Sequence, residues 1–422
     1  MSKTQWVLSQ LTRQLWFRST LFAVLAVLTA LVAIGIKSFI PEPVSGIIGT
    51  DAVDKILGIL ASSMLAVTTF SLNIMVSAYN TASSSVTPRA TRLLLEDRTT
   101  QNVLATFIGS FLYSLVGIVA LGMGAYGTQG RVVLFFVTLM VIVMIVITLL
   151  RWIQHLAQFG RMAETSQRVE DATVAALAAW IRDPCMGCSP WHGEDVRSTD
   201  IPLYPDCVGY LQHVDLQQLS DFAEKHSTWL YLNAQPGAFV HLTSPLLWSR
   251  QALSPEQSGE LRKAFTVGEL RSFDQDPRFG LSVLSEIASR ALSPAVNDPG
   301  TAIDIIGRAV RLFSQPEEAK GADTPHFRLF LRQADVSDLF DDIFTPIARD
   351  GAALVEVHIR LQKALMALAN VRPERYGTEA RRHSRQALER ANQVLTYSGD
   401  KQILESLASE FAEPSPGSST SG

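Results

Sequence analysis

Residues 56–79 read ILGILASSMLAVTTFSLNIMVSAY, an unbroken run without a charged side chain. A helix needs about 17–25 residues to cross the hydrocarbon core of a bilayer, so this run predicts a membrane span. It is not uniformly apolar. Ser62, Thr69, Asn73, Ser77 and, just beyond the run, Thr81 recur at intervals of seven and four. That spacing places them on one helix face. The helix should also run on through NTASSSV toward Pro88. From Val53 to Ser85 it would measure about 50 Å, longer than the core is thick. Two readings of the stripe follow. Hydroxyls and an amide can line a pore and replace part of an ion's hydration shell. Small and hydroxylated residues can equally let two helices approach and hydrogen-bond.

Three more apolar runs flank this one, at about Leu21–Ile36, Val103–Met123 and Val132–Trp152. Four such runs in the first part of the chain predict four transmembrane helices rather than buried core helices. A cleaved leader is a poor reading of the first, because a long segment precedes it and three further runs follow. The apolar cores hold no Asp, Glu, Lys, Arg or His. That disfavours a proton-driven pump and leaves a passive conduit open. Lys3, Arg13 and Arg18 precede the first run, Arg89, Arg92 and Arg98 follow the second, and Arg151, Arg161 and Arg168 follow the fourth. The other loops are poor in Arg, so the positive-inside rule puts both termini in the cytoplasm of a cell with this protein in its inner membrane. In the leader, Trp6, Leu8, Leu11, Leu15 and Trp16 fall at roughly helical spacing, predicting an interfacial helix over residues 1–19.

Beyond residue 158 the chemistry changes. Residues 1–159 carry ten Lys and Arg against five Asp and Glu, whereas residues 160–422 carry 26 against 35. An acidic soluble half excludes nucleic acid as the expected partner, since phosphate neutralisation needs a basic face. Residues 159–206 read as an amphipathic helix and a turn-rich loop. Cys185, Cys188, His192 and Cys207 could bind zinc, but the spacing is loose and lacks a second Cys-x-x-Cys; ordinary thiols are the alternative. Three Cys make no disulfide framework.

Residues 207–250 predict a small β motif: strands at 209–213, 228–234 and 238–241, with a helix over 215–225 capped by Asp215. PGAFVHLTSPLLW, 236–248, resembles the small β-sandwich of biotinyl and lipoyl carriers. Those carriers need a Lys at a hairpin tip, and neither turn here has one, so the role is structural. Residues 251–411 predict a helical part, opened by a Ser254–Gln257 capping box with Pro255. The tail, 412–422, should be disordered. The densest polar set lies in this part: Arg271, Asp276, Arg278, Arg290, Asn297 and Asp298, with Asp274 and Asp304 nearby. One reading is a ligand or ion site. The other is punctuation, because Asp276-Pro277, Ser293-Pro294 and Asp298-Pro299 all fit an N-cap followed by Pro.

The run TTFSLNIMVSAYNTASSSVTPRATRLLLEDRTTQNVLATFIGSFLYSLV, 68–116, together with RSFDQDPRFGLSVLSEIASRALSPAVNDPGTA, 271–302, resembles the bacterial predicted membrane proteins grouped as domain of unknown function 2254. The resemblance covers about residues 10–395. It implies four N-terminal spans and a cytoplasmic C-terminal part, and it brings no activity. The Cys185–Cys188 pair is not part of its pattern.

The expectation is therefore a mainly α integral membrane protein, with four N-terminal transmembrane helices and a cytoplasmic α+β domain holding a β-sandwich-like motif and a helical C-terminal part. No phosphate loop, dinucleotide fingerprint, nucleophile elbow or HExxH occurs, so neither an enzyme nor a cofactor is expected. The leading expectation is a homo-oligomeric channel in the bilayer, with a soluble vestibule or sensor passing or binding an ion or small molecule. The alternative is a non-conducting sensor or scaffold that binds a ligand or partner through residues 271–304.

Overall fold

The described residues of the four apolar runs fold as helices, which satisfy their backbone groups internally. The computed structural model describes residues 3–12, 14–35, 50–95, 97–156, 162–191, 195–316, 325–332 and 335–412. It divides into two units, Val7–Thr165 and Met1–Trp6 with Ser166–Gly422. Helix α1 is Lys3–Thr12, α2 Leu15–Gly35, α3 Thr50–Ser85, α4 Pro88–Leu95, α5 Arg98–Gly122 and α6 Gly127–Leu156. Among the described residues three segments are long and apolar enough to cross a membrane: Ala52–Thr81, Arg98–Gly122 and Gly130–Leu156. The first expected span is represented by a shorter apolar stretch, Trp16–Thr29, and residues 36–49 after it lie outside the described set.

Helix α5 is the centre of this unit and packs against α2, α3 and α6. Glycines permit the approach. A Cβ on Gly109 would stand 3.3 Å from the backbone oxygen of Phe22, and one on Gly117 would stand 3.0 Å from Leu57. Several polar groups inside the bundle are paired. Tyr113 Oη lies 3.0 Å from Thr138 Oγ1, and Trp152 Nε1 donates to Ser71 Oγ at 3.0 Å. Asp97 caps α5 through Thr100 N at 2.7 Å and meets His155 Nε2 at 3.0 Å.

The second unit begins with most of α7, Met162–Arg182. Its strands are β1 Cys188–Trp191, β2 Ile201–Leu203, β3 Gly209–Val214, β4 Leu230–Leu232, β5 Phe239–Val240, β6 Leu247–Ser249, β7 Phe265–Gly268 and β8 His326–Arg332. Between them lie α8 Leu216–Lys225, α9 Pro255–Lys263, α10 Pro277–Ala291 and α11 Pro299–Phe313. After β8 come α12 Val336–Asp350, α13 Val355–Val371, α14 Pro373–Val394 and α15 Ser398–Ala412.

Two sheets form, one in the order β1-β8-β4-β6-β2 and one in the order β5-β3-β7. Strand β8 runs parallel to β1 and β4, and the other pairs are antiparallel. Alternate residues Leu230, Leu232, Leu247, Leu329 and Leu331 turn inward and share one core with Leu211, Val240 and Phe222 of α8. The capping expectations are met: Asp215 accepts from Gln218 N, and Ser254 and Gln257 form the reciprocal box.

Two readings differ from the structure. The stretch expected to be wholly helical, 251–411, contributes β7 and β8 to the sheets. Strand β8 finds its partners β1 and β4 about a hundred residues upstream or more, a parallel pairing that no local pattern announces. The leader is not interfacial throughout. Trp6 is 7% exposed, stacks on His213 at 5.3 Å and donates through Nε1 to Asp274 at 2.8 Å, while Val7, Leu8, Leu11 and Trp16 are exposed. Helical spacing alone does not distinguish a lipid surface from a protein surface. All of the expected tail but Ala412 lies outside the described residues.

Candidate functional site

The stripe on α3 faces away from its own bundle. Ser62, Thr69, Asn73, Ser77 and Thr81 are all exposed. The opposite face, Val53, Leu57, Leu60, Met64 and Ser71, is buried. Several hydroxyls are satisfied within the helix. Ser62 donates to Gly58 O at 3.0 Å, Thr69 to Leu65 O at 3.0 Å and Thr81 to Ser77 O at 3.0 Å. Such back-bonding lets Ser and Thr sit in an apolar setting. Asn73 has two donors and an acceptor. It makes no hydrogen bond to any described residue, on a surface it shares with exposed Ile59, Leu65, Phe70 and Val76.

The polar set of the second unit is split between the two ends of α10. At its start, Asp276 is 3% exposed and accepts from Arg278 N and Phe279 N, both at 3.1 Å. Arg271 grips the same carboxylate with two hydrogen bonds, at 2.7 and 3.0 Å. Burial pushes the Asp276 carboxyl up, and Arg271 with the two amides pulls it back. Gly237, at φ +92°, lies so close that a Cβ there would overlap the Asp276 carboxylate. The Arg278 side chain turns to α12, where it bonds Asp342 at 2.6 Å and Asp338 at 2.8 Å, and Asp342 raises its pKa.

Arg290, Asn297 and Asp298 lie at the other end, about 22 Å away for a helix of this length. Asp298 caps α11 through Thr301 N at 3.1 Å and Thr301 Oγ1 at 2.6 Å, contacts that hold its carboxyl below the usual range. Asn297 takes the left-handed conformation at φ 51°, and Asp298 N returns to Ala291 O at 2.7 Å. The six residues therefore do not converge. Two of them start helices, and the stretch 290–302 is a helix–turn–helix junction.

The Cys-x-x-Cys segment is a turn tied by Asp183, which accepts from Cys185 N at 3.1 Å and Gly187 N at 2.5 Å. Cys185 and Cys188 are buried, Cys188 in the sheet core, while Cys207 is exposed. His192 lies outside the described residues. Among the described residues no three His, Cys, Asp or Glu gather as a metal site.

A cavity of ≈ 700 Å³ was not legible in the sequence. Trp180, Arg182 and Asp183 at the end of α7 line it, with Met186, Asp274 and Gln275. Met186 holds φ 54° there. A non-glycine residue in that region is a form of stored strain often found beside functional sites. No local signal marks it, because the wall is assembled from segments far apart in sequence.

The profile of the family described as predicted membrane protein (DUF2254) matches residues 12–367. An uncharacterized protein of Mycobacterium tuberculosis (strain CDC 1551 / Oshkosh) is 28% identical over 267 residues, covering 60% of this chain and 50% of that protein. An uncharacterized protein of Mycobacterium bovis matches with the same identity and coverage. The chain thus spans about half the length of the curated relatives it matches. No solved structure matches it.

Proposed function

The chain belongs to the family of predicted membrane proteins DUF2254, and from that premise we propose that it works as a homo-oligomeric, channel-like protein of the bacterial inner membrane. One observation carries this reading: the outward polar stripe of α3, with the unbonded Asn73 carboxamide at its middle. An amide facing hydrocarbon without a partner costs on the order of several kcal/mol. Water or a neighbouring chain removes that cost. Copies meeting along α3 would bring Ser62, Thr69, Asn73, Ser77 and Thr81 to a shared polar path.

Helix α2 is the fourth span in this proposal. It starts at the same end as α5, where Arg18 bonds Asn102 at 2.7 Å, and packs beside it at Phe22 and Gly109. The basic residues Arg18, Arg89, Arg92, Arg98 and Arg151 support a cytoplasmic placement of both termini and of the sheet-containing unit.

The test is ion flux through full-length protein in liposomes, with oligomeric mass measured in parallel. Flux by the wild type, lost in Asn73→Leu at unchanged mass, is the expected result. A monomer without flux under any salt condition would end this reading.

A second reading, a non-conducting sensor, is favoured by the ≈ 700 Å³ cavity. It falls in the size range of small-molecule sites and combines apolar walls with a few polar groups. Thermal-shift screening of metabolites against the wild type and the cavity-filling Met186→Trp variant addresses it. A hit that the variant abolishes supports the sensor, and a hit that it leaves unchanged rejects the cavity.

A further inference from the structure

We propose that the groove between the first turns of α2 and α5 is a binding site for the phosphate headgroup of an anionic phospholipid, held by Arg18 and Arg98. This proposal rests on the membrane reading and not on conduction along α3.

Arg18 is fixed by neutral acceptors only. Its Nε donates to Thr12 O at 2.9 Å and its Nη1 to Asn102 Oδ1 at 2.7 Å. Asn102 lies four residues after Arg98 on α5, so both project from one face of that helix. Arg98 is exposed and repels Arg18. Among the described residues neither guanidinium is in an ion pair. Among the described residues Asp97 is a carboxylate that attracts Arg18, but it forms no hydrogen bond to it and instead accepts from Thr100 N and Thr100 Oγ1 and meets His155. Two cations facing one shared carboxylate keep an excess of positive charge, and an anion between them relieves the repulsion. Guanidinium groups bind phosphate oxygens with paired, charge-assisted hydrogen bonds.

The surroundings favour a lipid as the source of that phosphate. Trp16, 60% exposed, lies two residues before Arg18. Leu21 and Leu25, both exposed, follow it by three and seven residues along the same side of α2. A headgroup at Arg18 would thus lay its acyl chain along Leu21 and Leu25, with Trp16 at interfacial depth. Basic pockets between membrane helices are a recurrent form of anionic headgroup site.

The experiment titrates full-length protein in detergent with phosphatidylglycerol or phosphatidylcholine and counts bound lipid by native mass spectrometry. Inorganic phosphate is added as a competitor. The expected result is one saturable phosphatidylglycerol site that phosphatidylcholine does not fill and that millimolar phosphate does not empty. In Arg18→Gln/Arg98→Gln affinity should fall about thirtyfold, the loss expected for two arginines near a charged surface. Arg131→Gln should bind as the wild type does. Equal binding of the two lipids, or unchanged affinity in the double variant, overturns the proposal. Full displacement by inorganic phosphate overturns the lipid as the source. If the double variant does not fold, Arg98→Glu, at an exposed position, must still weaken phosphatidylglycerol binding at least about tenfold; unchanged binding there overturns it as well.

Discussion

The face of α3 gathers neutral polar residues and the start of α10 charged ones, and the two regions treat their hydrogen-bonding capacity in opposite ways. At α10, Asp276 is saturated by Arg271 and two backbone amides, and Arg278 by two carboxylates of α12. On α3, Asn73 faces outward and bonds to no described residue. The denser cluster is the more occupied with holding its own unit together. The sparser one leaves hydrogen-bonding capacity unused where unused capacity is expensive. Density of polar residues is thus a weaker guide to function than what remains unsatisfied after folding.

The largest effect should come from cutting the saturated cluster. Asp276→Ala leaves Arg271 without its partner and α10 without its cap, and should cost about 3–5 kcal/mol. A urea midpoint close to that of the wild type would show the cluster to be spare, and with it free to bind a ligand.

Acid should act next, on the same unit. Burial holds His358 and His383 near a pKa of about 4, although Asp341 stands 3.2 Å from His383. Their unfolded value is about 6.5, so the unfolded chain takes up the protons first. Stability is complete above pH 6.5 and falls as the pH drops toward 4, by at most about 3 kcal/mol for each histidine. Denaturation midpoints at pH 7 and pH 5 should differ accordingly, and His383→Gln should flatten the slope.

Asp298→Ala removes one N-cap and should cost about 1 kcal/mol. A loss several times larger would mean that the junction holds more than a helix start. The smallest effect on folding belongs to Asn73→Leu. It should leave the stability of the bundle within about 0.5 kcal/mol, as surface changes do, while altering oligomeric mass or flux. Destabilisation without either change would erase the contrast between the two regions.

Much of this was legible beforehand, for a definite reason. The apolar runs of α3, α5 and α6 are selected by one solvent, and Asp215, Ser254, Asp276 and Asp298 start helices through bonds three residues long or shorter. Local rules therefore reach them. The parallel seat of β8, the burial of Trp6 and the cavity beside Met186 depend on segments brought from far along the chain. The six-residue ligand set failed to converge because sequence proximity on either side of α10 is undone by the length of the helix between them. The stripe was legible as a face, but its direction was set by which side of α3 packs on α5.

The cysteines offer a practical opening. Cys185 and Cys188 are enclosed, whereas Cys207 stands at the surface of the sheet-containing unit. Burial and the neighbouring Asp206 push its thiol up, so it reacts best in mildly alkaline buffer. A membrane-impermeant maleimide would therefore label the native chain at a single position. In intact and then opened cells it would report which compartment that unit inhabits, with no engineered residue required.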